Sequence, residues 1–272
     1  MKNALSIDVE DWFCVSNLKR AIDYRDWGIQ ELRVVKNTRR ILDLLSAHKT
    51  KATFFVLGWI AERVPELIYE IDQMGHEIAT HGYSHTMITG MTPESFDEDL
   101  KKALNVTKKC TGHAILGFRA PSFTITPKTM WALDVLIENG IRYDSSVFPV
   151  SGHPDYGMSE SPLQIHEIKP GLIEVPLSVV ELFGRRIPCS GGGYFRFFPY
   201  TMTRSLMKTC NRQGRPVIFY LHPWEIDPNQ PRVNLPLLKR FRHYNNLGKT
   251  FKRFDRLLGE FDFTSIREII GI

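Results

Sequence analysis

Short apolar runs alternate along this chain with longer stretches whose hydrophobic residues recur at helical spacing. Residues 4–8 read as a short buried strand, and 52–56, β-branched and aromatic, as a second. Further strands are expected at 76–80, 115–119, 141–144, 172–175 and 216–221. Between the first two strands, Val34, Ile41, Leu42 and Leu45 share one helical face, with Lys36, Arg39 and Arg40 opposite. Other helices are expected at 59–74, stopped by Gly75, and at 93–110, with Thr92 as N-cap and Pro93 in the first turn. Thr126-Pro127 repeats that start signal for 127–139, which Gly140 stops, and one more helix lies near 200–212.

Strands alternating with helices of this length predict a parallel sheet or barrel. In such barrels the chemistry sits at the C-terminal ends of the strands. Asp8, His81, Arg119, Asp144 and His222 each end or follow a predicted strand, so one rim collects them. Two stretches break the alternation. Residues 149–198 are rich in Gly and Pro and read as loops around one or two strands, covering the site. Gly191-Gly192-Gly193 lies there without the Lys-Ser/Thr of a phosphate-binding loop. From Arg232 to Arg256 there are eight Lys/Arg and one acid, Asp255, while Leu247, Phe251, Phe254 and Leu258 fall on one helical face. This tail reads as a packed helix with a solvated basic side; contact with an anionic membrane surface is the alternative.

Composition narrows the class. The chain has 272 residues, 43% hydrophobic and 24% charged, enough for one large core or two modest domains. A net charge of +5 allows an anionic partner without requiring one, and nothing points to nucleic acid. Cys14, Cys110, Cys189 and Cys210 form no Cys-x-x-Cys pair and are expected as free thiols in a reducing compartment. Acids arrive by position 8, and no apolar run approaches the roughly 18 residues of a membrane span, so a cytoplasmic location is expected.

His81 and His85 stand four residues apart just after a strand. Two neutral imidazoles and a carboxylate form a facial set for a divalent metal and leave a position open for water. Asp8-Val9-Glu10-Asp11 supplies carboxylates at another strand end. Residues two apart on an extended chain share a face, which pairs Asp8 with Glu10: one can bind metal while the other takes a proton. His222 emerges from a very apolar strand as a candidate general acid, with Asp144 as the carboxylate to orient it. Arg119 can hold a site carboxylate ionised, and the Ser122 N–H after Pro121 can face an oxyanion.

These segments resemble the five motifs of the polysaccharide deacetylase family, carbohydrate esterase family 4 with its NodB-homology domain. Here they are Ser6-Ile7-Asp8-Val9-Glu10-Asp11, residues 80–85, Arg119-Ala120-Pro121-Ser122, Tyr143-Asp144-Ser145-Ser146 and Leu221-His222-Pro223. A narrower likeness, to deacetylases found beside exosortase and exopolysaccharide loci, is carried by Asp8-Val9-Glu10-Asp11-Trp12-Phe13, Gly192-Gly193-Tyr194-Phe195-Arg196, His222-Pro223-Trp224-Glu225-Ile226-Asp227 and His243-Tyr244-Asn245. The resemblance implies an α/β fold, a distorted (β/α)7 barrel with a C-terminal helical extension. Residues 1–225 would carry the barrel motifs and 226–272 the extension, within one deacetylase domain. It implies Asp8 as general base, His81 and His85 as ligands of zinc or of another divalent ion such as cobalt or nickel, and Arg119 orienting Asp8. It further implies Ser122 N–H in an oxyanion hole, His222 as general acid tuned by Asp144, and Leu221 lining the pocket for the acetyl methyl, with Trp224 and Tyr194 beside it.

Most members of the family carry a second, metal-binding Asp where this chain has Val9. The ligand then falls to Glu10 or Asp11, and the shared face with Asp8 favours Glu10. The implied activity is metal-dependent N-deacetylation of an N-acetylated saccharide, an exopolysaccharide or its lipid-linked precursor. A metal-independent allantoinase-like C–N hydrolase and a non-catalytic sugar-binding module are the rival expectations.

Overall fold

The computed structural model describes residues 1–153, 156–182 and 184–272. Its strands are β1 (Asn3–Val9), β2 (Thr53–Val56), β3 (Glu77–Thr80), β4 (Gly117–Phe118), β5 (Tyr143–Asp144), β6 (His166–Lys169), β7 (Leu172–Glu174), β8 (Val179–Leu182), β9 (Arg185–Pro188), β10 (Ile218–Leu221) and β11 (Phe263–Thr264). Seven run parallel in the order β10–β1–β2–β3–β4–β5–β7; β6 adds antiparallel at the edge and β11 pairs with β1. The sheet curls, but its ladder stays open between β7 and β10 among the described residues. The segment after β7 lies across that gap: Ser178 Oγ accepts the Ile218 N–H at 2.8 Å, and Arg215 donates to Val179 O at 3.0 Å.

Period-two alternation sorts the side chains. Leu5, Ile7, Val9, Phe54 and Val56 pack outward against the helices, whereas Ala4, Phe55, Ala79, Tyr143, Val175 and Ile218 fill the concave interior. The helices are α1 (Val34–Ala47), α2 (Gly58–Arg63), α3 (Pro65–Gln73), α4 (Pro93–Thr111), α5 (Ala132–Glu138), α6 (Gly192–Phe197), α7 (Tyr200–Arg212), α8 (Leu237–Tyr244), α9 (Leu247–Glu260) and α10 (Ile266–Ile270). α4 starts as expected, with Thr92 and Ser95 forming a capping box. The single helix expected over 59–74 is two. Pro65 has no N–H to continue α2 and excludes helical geometry at Val64, which sits at φ −133°, ψ 56°. α5 begins later than its Thr-Pro signal, because the Thr129 hydroxyl donates to Thr124 O (2.7 Å) and accepts the Thr126 N–H (2.8 Å), holding a turn there. The 149–198 stretch holds more structure than expected: β6 to β9 and α6.

α10 seals one end of the sheet. The Ile266 N–H donates to Thr53 Oγ1 (2.7 Å), the Arg267 N–H to Glu77 Oε2 (2.9 Å), and Ile266 joins the interior cluster. α9 buries Leu247, Phe254, Leu257 and Leu258 in the main core, so the apolar stripe of the tail is a packing face. Among the described residues, no helix is long and apolar enough to cross a membrane.

Candidate active site

Strand register brings the chemistry to the open rim. Ile7 pairs with Leu221, Thr80 with Phe118, and Phe118 with Asp144, so Asp8 stands level with His222, and His81 with Arg119 and Ser145. Just past β1 the Glu10 N–H donates to Asp8 O at 2.9 Å, and this tight turn brings the Glu10 side chain to the same cavity as Asp8. The cavity measures about 540 Å³. Asp8, Glu10, His81, His85, Ser122 and His222 line it, with aromatic walls from Phe123, Tyr194, Tyr220 and Trp224.

Glu10, His81 and His85 are buried and offer one donor atom each, all within 4.8 Å of one another. His85 Nε2 lies 3.0 Å from Glu10 Oε2, yet that oxygen is buried and accepts no hydrogen bond. The His81 Nδ1 contact with Arg119 O, at 2.8 Å, fixes Nδ1 as the protonated nitrogen and leaves Nε2 with its lone pair. Burial lowers the His81 pKa to about 4, with the neighbouring imidazole of His85 adding to the effect, which keeps the ring neutral. Burial works to raise the Glu10 pKa, but His85, His222 and His81 outweigh it and hold the carboxyl near 2. Converging lone pairs, an unsatisfied buried carboxylate oxygen and a His₂-carboxylate donor set fit a divalent cation.

Asp11 is committed elsewhere. Its carboxylate accepts the N–H groups of Trp12 (2.8 Å), Arg33 (2.7 Å) and Val34 (2.9 Å), capping the start of α1. Of the two candidate carboxylates, it is Glu10 that lies beside His81 and His85.

The loop carrying His85 is tied down by α4. Asp99 accepts the Tyr83 N–H (2.7 Å), the Ser84 N–H (3.1 Å) and the Ser84 hydroxyl (2.6 Å). His85 itself adopts a left-handed conformation with φ 53°, a geometry that must be held from outside.

Asp8 faces the cavity from the other side. Fully buried Arg119 donates to Asp8 Oδ1 (2.6 Å), to Ser6 Oγ (2.8 Å) and to the oxygens of Ser145 (3.1 and 2.9 Å), and it lies 4.0 Å from the Phe55 ring centre. Asp8 Oδ2 points toward His222, whose Nε2 is 3.7 Å away. The same nitrogen is 3.2 Å from Glu10 Oε1. Ser122 lines the cavity in a left-handed conformation (φ 55°), its hydroxyl 2.6 Å from that of Ser16.

Two expected roles do not survive the geometry. Asp144 does not approach His222. It turns to the outer face of β5, beside Glu174 of the neighbouring strand, and accepts a hydrogen bond from Ser146. The residue that holds His222 is Glu225: its Oε2 accepts from His222 Nδ1 (2.9 Å) and from the His222 N–H (3.0 Å). Its other oxygen takes the Arg196 guanidinium of α6 at 2.8 Å. Burial disfavours a charged ring at 222, but Glu225, then Glu10 and Asp8, raise its pKa to about 9. Burial likewise works against an ionised Glu225, which Arg196 and His222 nonetheless hold near 2.

Leu221 is the second correction. It points outward into the helix-facing core, and Tyr220, one residue earlier, lines the cavity instead. Trp224 and Tyr194 do line it; Trp224 stacks on His222 (5.4 Å between ring centres) and on the buried ring of His243 (4.6 Å). The glycines before Tyr194 exist for close approach. A Cβ on Gly192 would lie 1.6 Å from Glu225 Oε2, and one on Gly191 would lie 2.3 Å from the Tyr220 ring. Glu225 and Arg196 stood in the segments of the narrower likeness without a role; the one local signal for Glu225 was its capping-box spacing from His222.

Fold and site define a curled α/β barrel with a candidate metal centre and a carboxylate–imidazole pair at its C-terminal rim. Residues 26–143 match the polysaccharide deacetylase family model, and residues 145–271 match a domain of unknown function, DUF3473. Residues 26–143 are thus similar to the polysaccharide deacetylase family. His81, His85, Arg119 and Ser122 lie in the first match, His222, Glu225 and Arg196 in the second, and Asp8 and Glu10 precede both.

Among relatives, a peptidoglycan-N-acetylglucosamine deacetylase of Bacillus cereus is 28% identical over 43% of this chain and 46% of its own length. A peptidoglycan deacetylase of Helicobacter pylori is 32% identical over 43% of this chain and 39% of its own. The similarity thus spans less than half the length of these relatives. The crystal structure of a candidate polysaccharide deacetylase from Mycobacterium smegmatis shares the fold with a TM-score of 0.64, at 19% identity, over 99% of this chain and 90% of that one.

Proposed function

We propose that this chain is a metal-dependent N-deacetylase that removes acetyl groups from N-acetylated saccharides, with an exopolysaccharide or its lipid-linked precursor as the substrate class. The observation that carries the proposal is the convergence of the Glu10–His81–His85 donor set with Asp8 and His222 in one aromatic-walled cavity. A divalent cation held by Glu10, His81 and His85 would polarise the acetyl carbonyl and make a nearby water more acidic.

The protein's own groups do the rest. Arg119 holds one oxygen of Asp8 and aims the other into the cavity, where it can take a proton from the attacking water. Glu225 fixes the proton on His222 Nδ1, which turns Nε2 to the cavity to protonate the departing amine. The Ser122 N–H is the candidate donor to the oxyanion. Water and amide in, acetate and amine out, balance the reaction.

Purified protein supplied with zinc or cobalt should release acetate from N-acetylglucosamine oligomers or from a lipid-linked N-acetylated sugar. Asp8→Asn should lower turnover by about 10²–10⁴ while leaving metal binding by calorimetry intact. Failure to release acetate from any N-acetylhexosamine substrate would remove the proposal.

A further inference from the structure

An exposed apolar cluster lies at the mouth of the cavity, on α8 and the end of α6. Leu237 is 84% exposed, Leu238 63%, Phe241 50% and Phe197 59%. Leu238, Phe241 and Phe197 also line the cavity, and the Phe197 and Phe241 rings meet edge-on at 6.2 Å. Scattered apolar residues on a surface need no explanation, but a contiguous group beside a cavity does.

α8 is firmly held from beneath. His243 is fully buried, stacked on Trp224 and 2.9 Å from Gln230 Oε1 through its Nε2, while Arg196 donates to His243 O at 3.0 Å. The exposed leucines and phenylalanines therefore belong to an ordered platform. The same helix carries Lys239, Arg240 and Arg242, and no carboxylate among the described residues pairs with them. An apolar platform interleaved with unpaired cations is complementary to an anionic lipid surface: headgroups meet the charges while Leu and Phe enter the headgroup–acyl boundary.

We propose that α8 and Phe197 seat this protein on an anionic phospholipid bilayer, with the mouth of the cavity toward the lipid. Within the basic 232–256 tail it is α8 that offers this face, since the apolar stripe of α9 is spent on the core. The inference stands on the surface alone. Joined to the proposed activity, it favours saccharides presented at a membrane as substrates, and vesicle binding tests it separately from acetate release.

The full chain should co-sediment with vesicles of phosphatidylglycerol and phosphatidylcholine, bind pure phosphatidylcholine vesicles far more weakly, and detach as salt rises. Replacing three cations together (Lys239→Gln, Arg240→Gln, Arg242→Gln) should weaken binding by on the order of a hundredfold. Leu237→Ser with Leu238→Ser and Phe241→Ser should weaken it at least about tenfold. Both variants change exposed or half-exposed side chains, and unchanged thermal unfolding would verify that they fold. Absent binding to anionic vesicles at low salt, binding that neither variant weakens, or a concentration-dependent dimer that the serine variant dissolves in place of lipid binding would each overturn the proposal.

Discussion

Glu225→Gln is the sharpest probe of the rim, because it keeps the side chain's shape and removes only its charge. In the native protein the pKa of His222 rises from 6.5 to about 9, and Glu225 is the largest of the groups that raise it against burial. That rise corresponds to about 3 kcal/mol at about 1.4 kcal/mol per tenfold change. An opposite charge in hydrogen-bond contact commonly moves a pKa by about 1–3 units, so its loss should carry His222 back toward its ordinary value. A general acid must be protonated, so turnover falls as pH rises through its pKa. The alkaline limb of the acetate-release profile should move down by about one to two pH units in the variant.

Stability follows the same sign. A raised imidazole pKa stabilises the fold fully below 6.5, and that contribution disappears as pH rises through about 9. The variant also leaves the Arg196 guanidinium buried without its carboxylate, a loss of up to about 3–5 kcal/mol. Imidazole titration by NMR reads His222 directly, without substrate. If neither the NMR titration nor the alkaline limb moves, Glu225 does not set the charge of His222 and the reasoning fails.

Gly192→Ala should reproduce part of this from the other side of the contact, since the new Cβ falls 1.6 Å from Glu225 Oε2; displaced from His222, Glu225 should give the same downward shift of the limb, with about 1–3 kcal/mol of destabilisation from overpacking, read by thermal unfolding. Asp99→Asn, which weakens the hold on Tyr83 and Ser84, should loosen the His85 loop and cost about 10–100-fold in zinc affinity by calorimetry while Asp8 and His222 stay in place. Asp144→Asn should leave the alkaline limb where it is, because Asp144 lies behind the sheet beside Glu174; a shift as large as that of Glu225→Gln would restore Asp144 to the role the family resemblance implies.

The parallel sheet was legible because short apolar runs alternate with helix-length segments, and a run such as Phe54-Phe55-Val56 fits a strand buried on both faces. The rim was legible for Asp8, His81, Arg119 and His222, since each ends or follows a strand. Pro65 shows a different kind of miss, a local rule overlooked: it splits one expected helix into two without changing which face packs inward. The role of Gly192 had no sequence signal, because the atom it makes room for lies thirty-three positions away on Glu225.

The two misplaced site residues share one cause. Standing at a strand end says how far along the barrel a side chain sits, and parity says which face it takes. The parity rule that joined Asp8 to Glu10 applies equally to β10 and β5. Counting back from His222 by two reaches Tyr220, and Leu221 falls on the helix side. Setting β5 in register with β4 puts Tyr143 and Ser145 on the face of Arg119, and Asp144 behind it. A carboxylate for His222 then has to come from beyond the strand, where the chain turns back on itself. Pro223–Ile226 makes that turn, and the residue three past His222 is Glu225. Its capping geometry serves both ends at once: one oxygen satisfies the backbone N–H at the start of the turn and fixes the ring proton of the same residue, so the turn cannot form as it does without also orienting the acid.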